Sequence, residues 1–514
     1  MSCYQPSACP VSHPRTLRAP QTSRQLAPLR SKSRVCVLGL ILVLVGFVAP
    51  TFANPSEPAR DGWQAGAAKV AITPEEKLFM AGYGSRDRPV EGKLTELWAK
   101  ALVLQDAQGQ RGLVLTLDLV GIDRTLSVDL CEALAERYGF SRDQVLICCS
   151  HTHSGPVVGR NLAPLHYLRL PEAQQRAIDD WVQTLTQDVL DVVGDALEKL
   201  APCELSWGHG RADFAVNRRE NRPEGAVPER RTAGTLEGPV DHDVPVLAAR
   251  DADGQLLAVL FGYACHATVL SSYEWSGDYP GFAQRELEES HPGCVALFFA
   301  GCGADQNPLP RRTTRLARHY GRRLATAVDK VLLTTEMPPV RGALATSYEE
   351  PDVPLGPLPT TEHLRQDAQA NNPYAAARAQ MLLAQIDRGQ PLEPSYPYPI
   401  SVWRIGDDVR LIGLGGEVVV DYALRLKFEL GEPGTWVAGY SHDVMAYIPS
   451  RRVLAEGGYE GAGAMVYYGL PTTWAPAIEN DIVAAVHRQI EAIAPADETG
   501  EQEAADADLR PAKP

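Results

Sequence analysis

The feature that most constrains the fold is the order in which apolar runs and turn signals recur along the chain. Residues 98–105 and 112–119 are apolar runs on either side of a turn-like stretch at 106–109, which predicts a β-hairpin. A helical pattern that stops at Gly139 follows, and then the apolar run 144–149. Strand, helix and strand in this order predict a crossover unit of an α/β sheet.

The rest of the chain repeats these elements without an internal sequence repeat. Further hairpins are predicted over 244–264 and 403–414, and a buried strand over 294–300. Long helices are predicted over 171–200 and 313–333, and a last helix over 475–494. Hairpins mixed with crossovers predict the α/β (α+β) class, with a mixed β-sheet flanked by helices.

The domain boundaries follow from composition. No Pro/Gly linker divides residues 54–495, so we predict one large catalytic domain there. Residues 350–399 are rich in Pro and polar residues and are interpreted as an insertion with a surface role. The acidic, Ala-rich tail 496–514 is predicted to be disordered.

The N-terminus has the form of a secretory signal peptide. Residues 35–49 are uncharged and apolar, but this run is shorter than the roughly 20 residues that span a bilayer. Basic residues precede the run, and Thr51 and Ala53 provide the small residues of a cleavage site. We therefore predict a signal peptide over 1–53 and a secreted or periplasmic protein. An uncleaved membrane anchor is the alternative.

Charge and cysteine content restrict the partners. Residues 54–514 carry 43 Lys and Arg against 64 Asp and Glu, a formal net charge of −21. Such a surface repels phosphate backbones, so nucleic acid is not an expected partner. Seven cysteines follow residue 53, an odd number without regular spacing, and most lie in apolar runs. We interpret them as buried hydrophobic residues, with one unassigned disulfide left open.

The strongest local motif is Ser-His-Thr-His-Ser-Gly-Pro at 150–156, directly after the strand 144–149. Sites in α/β sheets collect at the carboxyl ends of strands. On an extended backbone, residues two apart point to the same side, so His151 and His153 are expected to face one cavity. This arrangement would let one of the two imidazoles bind a metal. Taken alone, the motif fits a hydrogen-bonded pair of loop histidines equally well.

Four other predicted strands also end in polar groups. His266 follows one strand, with the polar loop 276–278 ten residues later, and Glu417 follows another. The remaining two lead into 301–307 and into the segment 441–447, which contains His442, Asp443 and Tyr447. Five strand ends that carry polar or metal-binding side chains indicate a functional site. Nucleophile-elbow, P-loop and dinucleotide-binding motifs are not found after a strand.

These motifs resemble those of the neutral (non-lysosomal) ceramidase family, zinc amidases that hydrolyse the amide bond of N-acyl sphingosine. The resemblance runs from about Ala68 to Ala494 and rests on 151–156, the His266 strand with 276–278, the Gly-Glu pair at 416–417, and the segment 447–461. It implies a secreted Zn²⁺-dependent amidohydrolase that cleaves an N-acyl lipid such as ceramide into a fatty acid and an amine, with zinc-activated water.

The resemblance also implies residue roles. His151, His266, Glu417 and Tyr447 match the zinc ligands. His153 matches the active-site histidine that does not bind the metal, Arg218 the substrate-contacting arginine, and Tyr459 the second functional tyrosine. Two imidazoles and a carboxylate leave an open position on a catalytic zinc, which acidifies its water and polarises the substrate carbonyl. His153 would move protons, while Arg218 and Tyr459 would stabilise the oxyanion.

Two departures from the family pattern bear on the substrate. The family has a serine in a Gly-rich Ser-Pro-Asn motif, whereas the loop 301–308 has no serine. Asp305 and Asn307 are the candidates for its polar contacts. We also expect the family's C-terminal immunoglobulin-like domain to be missing, because the chain ends soon after its last predicted helix. Both departures weaken the case for ceramide as the substrate more than they weaken the case for amide hydrolysis.

The expected partner is a small N-acyl lipid, with transient contact with a membrane surface. Two alternatives to the amidase remain: a metallo-esterase, and a non-catalytic binding protein on the same fold. An amidohydrolase barrel fits less well, because its His-x-His usually follows the first strand. A metallo-β-lactamase fits less well because Gly155 and Pro156 stand where its Asp and His would follow.

Overall fold

The predicted order of hairpin, helix and parallel strand occurs three times in the structure, once in each of three sheets. The structure is a computed structural model and describes residues 62–334 and 336–495. The predicted signal peptide and acidic tail lie outside the described residues. All the described residues belong to one compact unit.

The strands, in chain order, are β1 Gln64–Ala71, β2 Gly92–Lys93, β3 Trp98–Gln105, β4 Arg111–Leu117, β5 Val145–Cys149, β6 Ala201–Pro202, β7 Glu204–Arg211, β8 Ala215–Asn217, β9 Asp243–Arg250, β10 Leu256–Tyr263, β11 Glu274–Trp275, β12 Val295–Ala300, β13 Gln306–Pro308, β14 Leu344–Glu349, β15 Asp352–Pro354, β16 Ser395–Pro397, β17 Ile400–Ile405, β18 Val409–Leu414, β19 Glu417–Val418, β20 Thr435–Ala438 and β21 Tyr447–Ile448.

The helices are α1 Arg124–Tyr138, α2 Glu172–Glu198, α3 Val227–Ala233, α4 Asp278–Ser290, α5 Thr314–Thr334, α6 Thr361–Asp367, α7 Pro373–Asp387, α8 Val420–Leu430, α9 Arg451–Glu456, α10 Gly458–Gly461 and α11 Ile478–Ala492. Short 3₁₀ turns occupy Arg142–Gln144, Tyr167–Arg169, Glu224–Ala226 and Gly463–Tyr467.

The three larger sheets share one connection pattern. Their strand orders are β5-β4-β3-β1-β6, β12-β10-β9-β7 and β14-β17-β18-β20. In each sheet an antiparallel hairpin (β3–β4, β9–β10 or β17–β18) is followed by a helix (α1, α4 or α8) and a strand parallel to the second hairpin strand (β5, β12 or β20). A tight turn suffices for an antiparallel pair, whereas a parallel pair needs a crossover, which the helix provides.

The three sheets pack around one inner apolar cluster. It contains buried side chains from each sheet, among them Leu146, Phe299, Trp403 and Trp436. Single backbone bridges between Cys148 and Ser441, and between Gly301 and Ala438, join the ends of β5, β12 and β20. The segments that follow these strands therefore start from one region of the molecule. The predicted fold class is confirmed, with the mixed sheet divided into several.

The predicted helices form close to their expected bounds because local capping agrees with the apolar pattern. Helix α1 begins after Asp123, whose carboxylate accepts from the Leu126 N–H, and ends at Gly139 in the left-handed region (φ 71°). Helix α2 buries the predicted apolar face, including Ile178, Trp181 and Leu185. The last helix is shorter than predicted, Ile478–Ala492 instead of 475–494.

Residues 350–399 form β15, α6, α7 and β16, with a small apolar cluster of Leu364, Ala379 and Leu382. Tyr374 of α7 donates to the Gly84 carbonyl at 2.8 Å. The interpretation of this segment as an insertion stays a prediction. All seven cysteines within the described residues are free thiols, and six of them are buried. Among the described helices, none is long and apolar enough to cross a membrane.

Candidate metal centre

His151 is held by a left-handed turn directly after the buried strand β5. Its φ is 56°, so the prediction of an extended backbone at this position is wrong. The turn brings His151 Nδ1 to 2.6 Å from the Val120 carbonyl oxygen. The Thr152 hydroxyl anchors the loop by donating to the Ser276 carbonyl at 2.7 Å. The two imidazoles still meet, since the ring centroids of His151 and His153 lie 4.7 Å apart.

His266 follows β10 and faces His151, with ring centroids 4.7 Å apart. Its Nδ1 lies 2.8 Å from the Gly303 carbonyl oxygen. A carbonyl oxygen accepts only, so Nδ1 of both histidines carries the proton in their neutral forms. The Nε2 lone pairs of His151 and His266 are therefore free for a metal ion.

Glu417 completes this donor set. Its Oε2 lies 3.3 Å from His151 Nε2 and 3.2 Å from His266 Nε2. This buried oxygen has no hydrogen-bond partner among the described residues, while Oε1 accepts from the Tyr468 hydroxyl. Preceding Gly416 has φ 75°, and a Cβ there would lie 2.7 Å from the Ala446 carbonyl oxygen, so the approach to Glu417 requires glycine.

Tyr447 stands directly opposite Glu417, because the two residues pair in the parallel β19–β21 ladder. Its hydroxyl lies 3.4 Å from His266 Nε2. The four predicted ligands thus converge, and their two imidazole nitrogens, carboxylate oxygen and phenol oxygen suit Zn²⁺. His151, His153 and His266 also form a group able to hold a metal ion, with ligand atoms within 4.8 Å of one another.

Burial and neighbouring charges set the protonation of this centre. Burial would raise the pKa of Glu417, but the adjacent His151 and His266 hold it well below its ordinary value. Burial, with the nearby Arg218 guanidinium, lowers the pKa of His266 to about 4. At neutral pH the centre therefore holds an ionised carboxylate and a neutral imidazole, the forms that bind a metal.

His153 lies at the edge of the centre. Its Nε2 is 3.0 Å from His151 Nε2, and its Nδ1 is buried without a partner among the described residues. Gly82 backs the ring, and a Cβ there would lie 2.5 Å from it. Burial, reinforced by His151 and His266, holds the pKa of His153 well below its ordinary value. His153 is therefore neutral at pH 7 and able to accept a proton.

Arg218 and Tyr459 lie on the Tyr447 side of the centre. Arg218 Nη2 donates to the Tyr447 hydroxyl at 3.1 Å, and Nε donates to Glu460 at 2.7 Å. Burial alone would lower the pKa of Arg218, but Tyr447 and Glu460 raise it, so the guanidinium stays charged. The Tyr459 ring lies 5.3 Å from the Tyr447 ring, and Tyr459 is 43% exposed.

Several predicted polar groups lie elsewhere. His442 Nε2 contacts the Ser401 hydroxyl at 2.7 Å and Nδ1 accepts from Arg142, so this buried pair is structural. Asp305 accepts from the Val420 N–H and from Asn217 Nδ2, which joins segments near the centre. Both oxygens of the Asp305 carboxylate therefore accept hydrogen bonds from these two structural partners.

Sequence reasoning missed Tyr468 and Tyr440. Tyr468 donates to Glu417, and the Tyr440 ring stacks on His151 with centroids 4.2 Å apart. Neither residue belongs to a local motif. Their only signal is position, Tyr440 at the end of a predicted strand and Tyr468 in the segment after Tyr459.

The fold and these residues define a mixed α/β protein with a buried His-Glu-Tyr centre whose geometry suits a metal ion. The family model for neutral/alkaline non-lysosomal ceramidases, N-terminal, matches residues 63–300. Over this range the chain is similar to the family.

Curated neutral ceramidases are similar to part of the chain. A neutral ceramidase of Pseudomonas aeruginosa is 25% identical over 277 residues, which cover 52% of this chain and 39% of that protein. A neutral ceramidase of Mycobacterium tuberculosis is 27% identical over 243 residues, 45% of this chain and 37% of that protein. The chain thus matches about two fifths of the length of these relatives.

Two solved structures share the fold over 84% of this chain. A ceramidase complexed with C2 has a TM-score of 0.65 at 20% identity, with 76% of that chain covered. The neutral ceramidase from Pseudomonas aeruginosa has a TM-score of 0.63 at 21% identity, with 74% covered.

Proposed function

We propose that this protein is a zinc-dependent amidohydrolase that cleaves the amide bond of an N-acyl lipid, with ceramide as the leading candidate, to a fatty acid and an amine. The observation that carries the proposal is the unpartnered, buried Glu417 Oε2, which lies within 3.3 Å of two imidazole Nε2 atoms. An ionised buried oxygen without a partner is costly unless a cation balances it. The names of the relatives, neutral ceramidases, support the choice of reaction.

His151 Nε2, His266 Nε2 and Glu417 Oε2 would hold the zinc ion, with the Tyr447 hydroxyl as the fourth protein group. Bound there, zinc would supply a Lewis acid for the amide carbonyl and lower the pKa of water towards about 7. The backbone carbonyls of Val120 and Gly303 fix both histidine rings in the required orientation.

The remaining residues have two roles, proton transfer and stabilisation of the developing negative charge. His153 Nε2 accepts the proton that the attacking water loses and returns it to the amide nitrogen as the C–N bond breaks. Arg218 and Tyr459 stabilise the carbonyl oxygen as negative charge develops on it. Glu460 positions Arg218, because it binds Nε of that guanidinium while Nη2 points at Tyr447.

The proposal includes secretion and a lipid substrate. The predicted signal peptide 1–53 supports export, and a formal net charge of −21 over residues 54–514 argues against anionic lipid as a charge-based anchor. Contact with a membrane surface would then be transient, long enough for a substrate to enter the site.

The test compares amides with esters. The zinc-loaded protein is assayed against N-acyl amides, ceramide among them, and against esters with the same acyl chains, with His153→Ala as the catalytic control. We expect amide cleavage that requires zinc and His153. Cleavage of esters alone would favour a metallo-esterase, and no turnover of either series would favour a binding protein.

A further inference from the structure

A small cavity lined largely by arginines and other polar residues, together with Pro223 and Leu309, lies beside the proposed metal centre. Its volume is about 280 Å³, and Arg218 forms part of its wall. The polar residues that line it are Arg218, Asn221, Arg222, Glu224, Asn307 and Arg311. We call this cavity the arginine cup.

Two hydrogen bonds link the wall of the arginine cup to residues at or near the centre. On one side, Arg218 Nη2 donates to the Tyr447 hydroxyl at 3.1 Å. On the other, Arg311 Nη1 donates at 3.3 Å to the hydroxyl of Thr268, which lies two residues after His266. The cup therefore lies next to the metal centre, where it can contact a substrate whose amide is held there.

The cup has an excess of positive charge. Arg311 forms a bidentate pair with Glu224, at 2.8 and 3.0 Å, and Arg218 pairs with Glu460 at 2.7 Å. Arg222 has no such ion pair. Its Nε donates to the Arg218 carbonyl at 3.1 Å, and no carboxylate within residues 62–334 and 336–495 pairs with its guanidinium. This excess is local, because residues 54–514 as a whole carry a net charge of −21.

We propose that the arginine cup binds a carboxylate on the amine half of the substrate, so that N-acyl amino acids are preferred over neutral N-acyl amines. This preference would put an N-acyl amino acid ahead of ceramide, whose amine half is neutral, as the substrate of the proposed amidase. This inference rests on the proposed amidase function. An alkyl chain in the cup would strip water from charged guanidinium groups without replacing their hydrogen bonds, so the acyl half is excluded. A guanidinium presents paired N–H donors that match a carboxylate, and Arg222 has these free.

The test uses two amides with the same acyl chain. N-dodecanoylglycine ends in a carboxylate where N-dodecanoylethanolamine has a neutral hydroxyl. The ratio of their kcat/KM values is measured for the zinc-loaded wild type, Arg222→Gln, Arg222→Lys and Arg315→Gln. Arg315 is an exposed arginine of α5 that does not line the cup, and serves as the matched control.

We expect the wild type to prefer the glycine amide by roughly 10–100-fold, the range that one hydrogen bond to a charged group supports. Arg222→Gln should move this ratio towards one through KM, Arg222→Lys should keep part of it, and Arg315→Gln should keep all of it. A wild-type ratio near one, or a ratio that Arg222→Gln leaves in place, would overturn the proposal while the amidase function stands.

If neither amide is cleaved, the amidase function fails, and calorimetric binding of the same two compounds still decides the role of the cup. Tighter binding of the glycine amide that depends on Arg222 would support a carboxylate site. Equal affinities for the two compounds would overturn it.

Discussion

Removal of one hydroxyl group, in Tyr468→Phe, should weaken zinc binding without changing its stoichiometry. Tyr468 is 3% exposed, and its hydroxyl donates to Glu417 Oε1 while Oε2 faces the two histidines. Phenylalanine keeps the ring and removes the donor. The carboxylate would then lose the contact that fixes its rotation, and a buried charged oxygen would be left without a partner.

The expected size follows from two independent estimates. A hydrogen bond to a charged group contributes about 1.5–3 kcal/mol. Loss of a partner that orients a metal ligand typically lowers metal affinity about 10–100-fold. Since each tenfold change corresponds to about 1.4 kcal/mol, the two estimates agree.

The assay is a competition between the metal-free protein and a chelator of known zinc affinity, for the wild type, Tyr468→Phe and Tyr467→Phe. Tyr467 is the matched control, because its ring packs against Tyr374 at 5.1 Å and Tyr459 at 6.2 Å, next to the centre. Thermal unfolding of the metal-free variants checks their folding. Wild-type affinity in a folded Tyr468→Phe, or an equal loss in Tyr467→Phe, would refute the positioning role.

Four further outcomes are expected. His151→Ala and Glu417→Ala should each purify without zinc, because a catalytic site has few protein ligands to spare; elemental analysis showing full occupancy in both would contradict the ligand set. His153→Ala should keep zinc and lose about 10²–10⁴-fold in turnover, whereas loss of metal in this variant would make His153 a ligand. Single turnover in ¹⁸O water, followed by mass spectrometry of the enzyme, should reveal no acyl adduct on any side chain, and a trapped adduct would refute direct attack by water. Burial raises the pKa of Asp443 to about 7, above its value of about 3.9 in an unfolded chain, so its contribution to stability is lost as the pH rises between these values. Asp443→Asn should flatten that part of the pH dependence of the free energy of unfolding, measured with urea. An unchanged pH dependence in this variant would contradict the raised pKa.

The local elements were predictable because their signals are local. The turns at 106–109, 251–254 and 406–408 separate apolar runs, and the structure has hairpins at all three places. The helix that ends at Gly139 has its stop signal in the sequence and its left-handed cap in the structure. What could not be predicted is the recurrence of one topology in three sheets, because it depends on strand pairing between distant segments and leaves no repeated sequence.

The candidate site was also predictable only in part. Resemblance to the family named His151, His266, Glu417 and Tyr447, and the structure brings these four residues together. The left-handed backbone at His151 was not predictable, since a non-glycine residue with positive φ is held by its surroundings and not by its own preference. Tyr468 was missed because a residue that orients a ligand needs only the right position in space.

The central claim, that one zinc ion at this centre enables amide hydrolysis, is tested most directly by titrating metal-free protein with zinc while amide turnover is followed. N-dodecanoyl amides serve as substrates, and the bound metal is quantified in the same samples. Turnover is expected to rise in proportion to zinc and to stop rising at one equivalent per chain. Turnover that is complete before zinc is added, or that stays absent at full zinc occupancy, would contradict the claim.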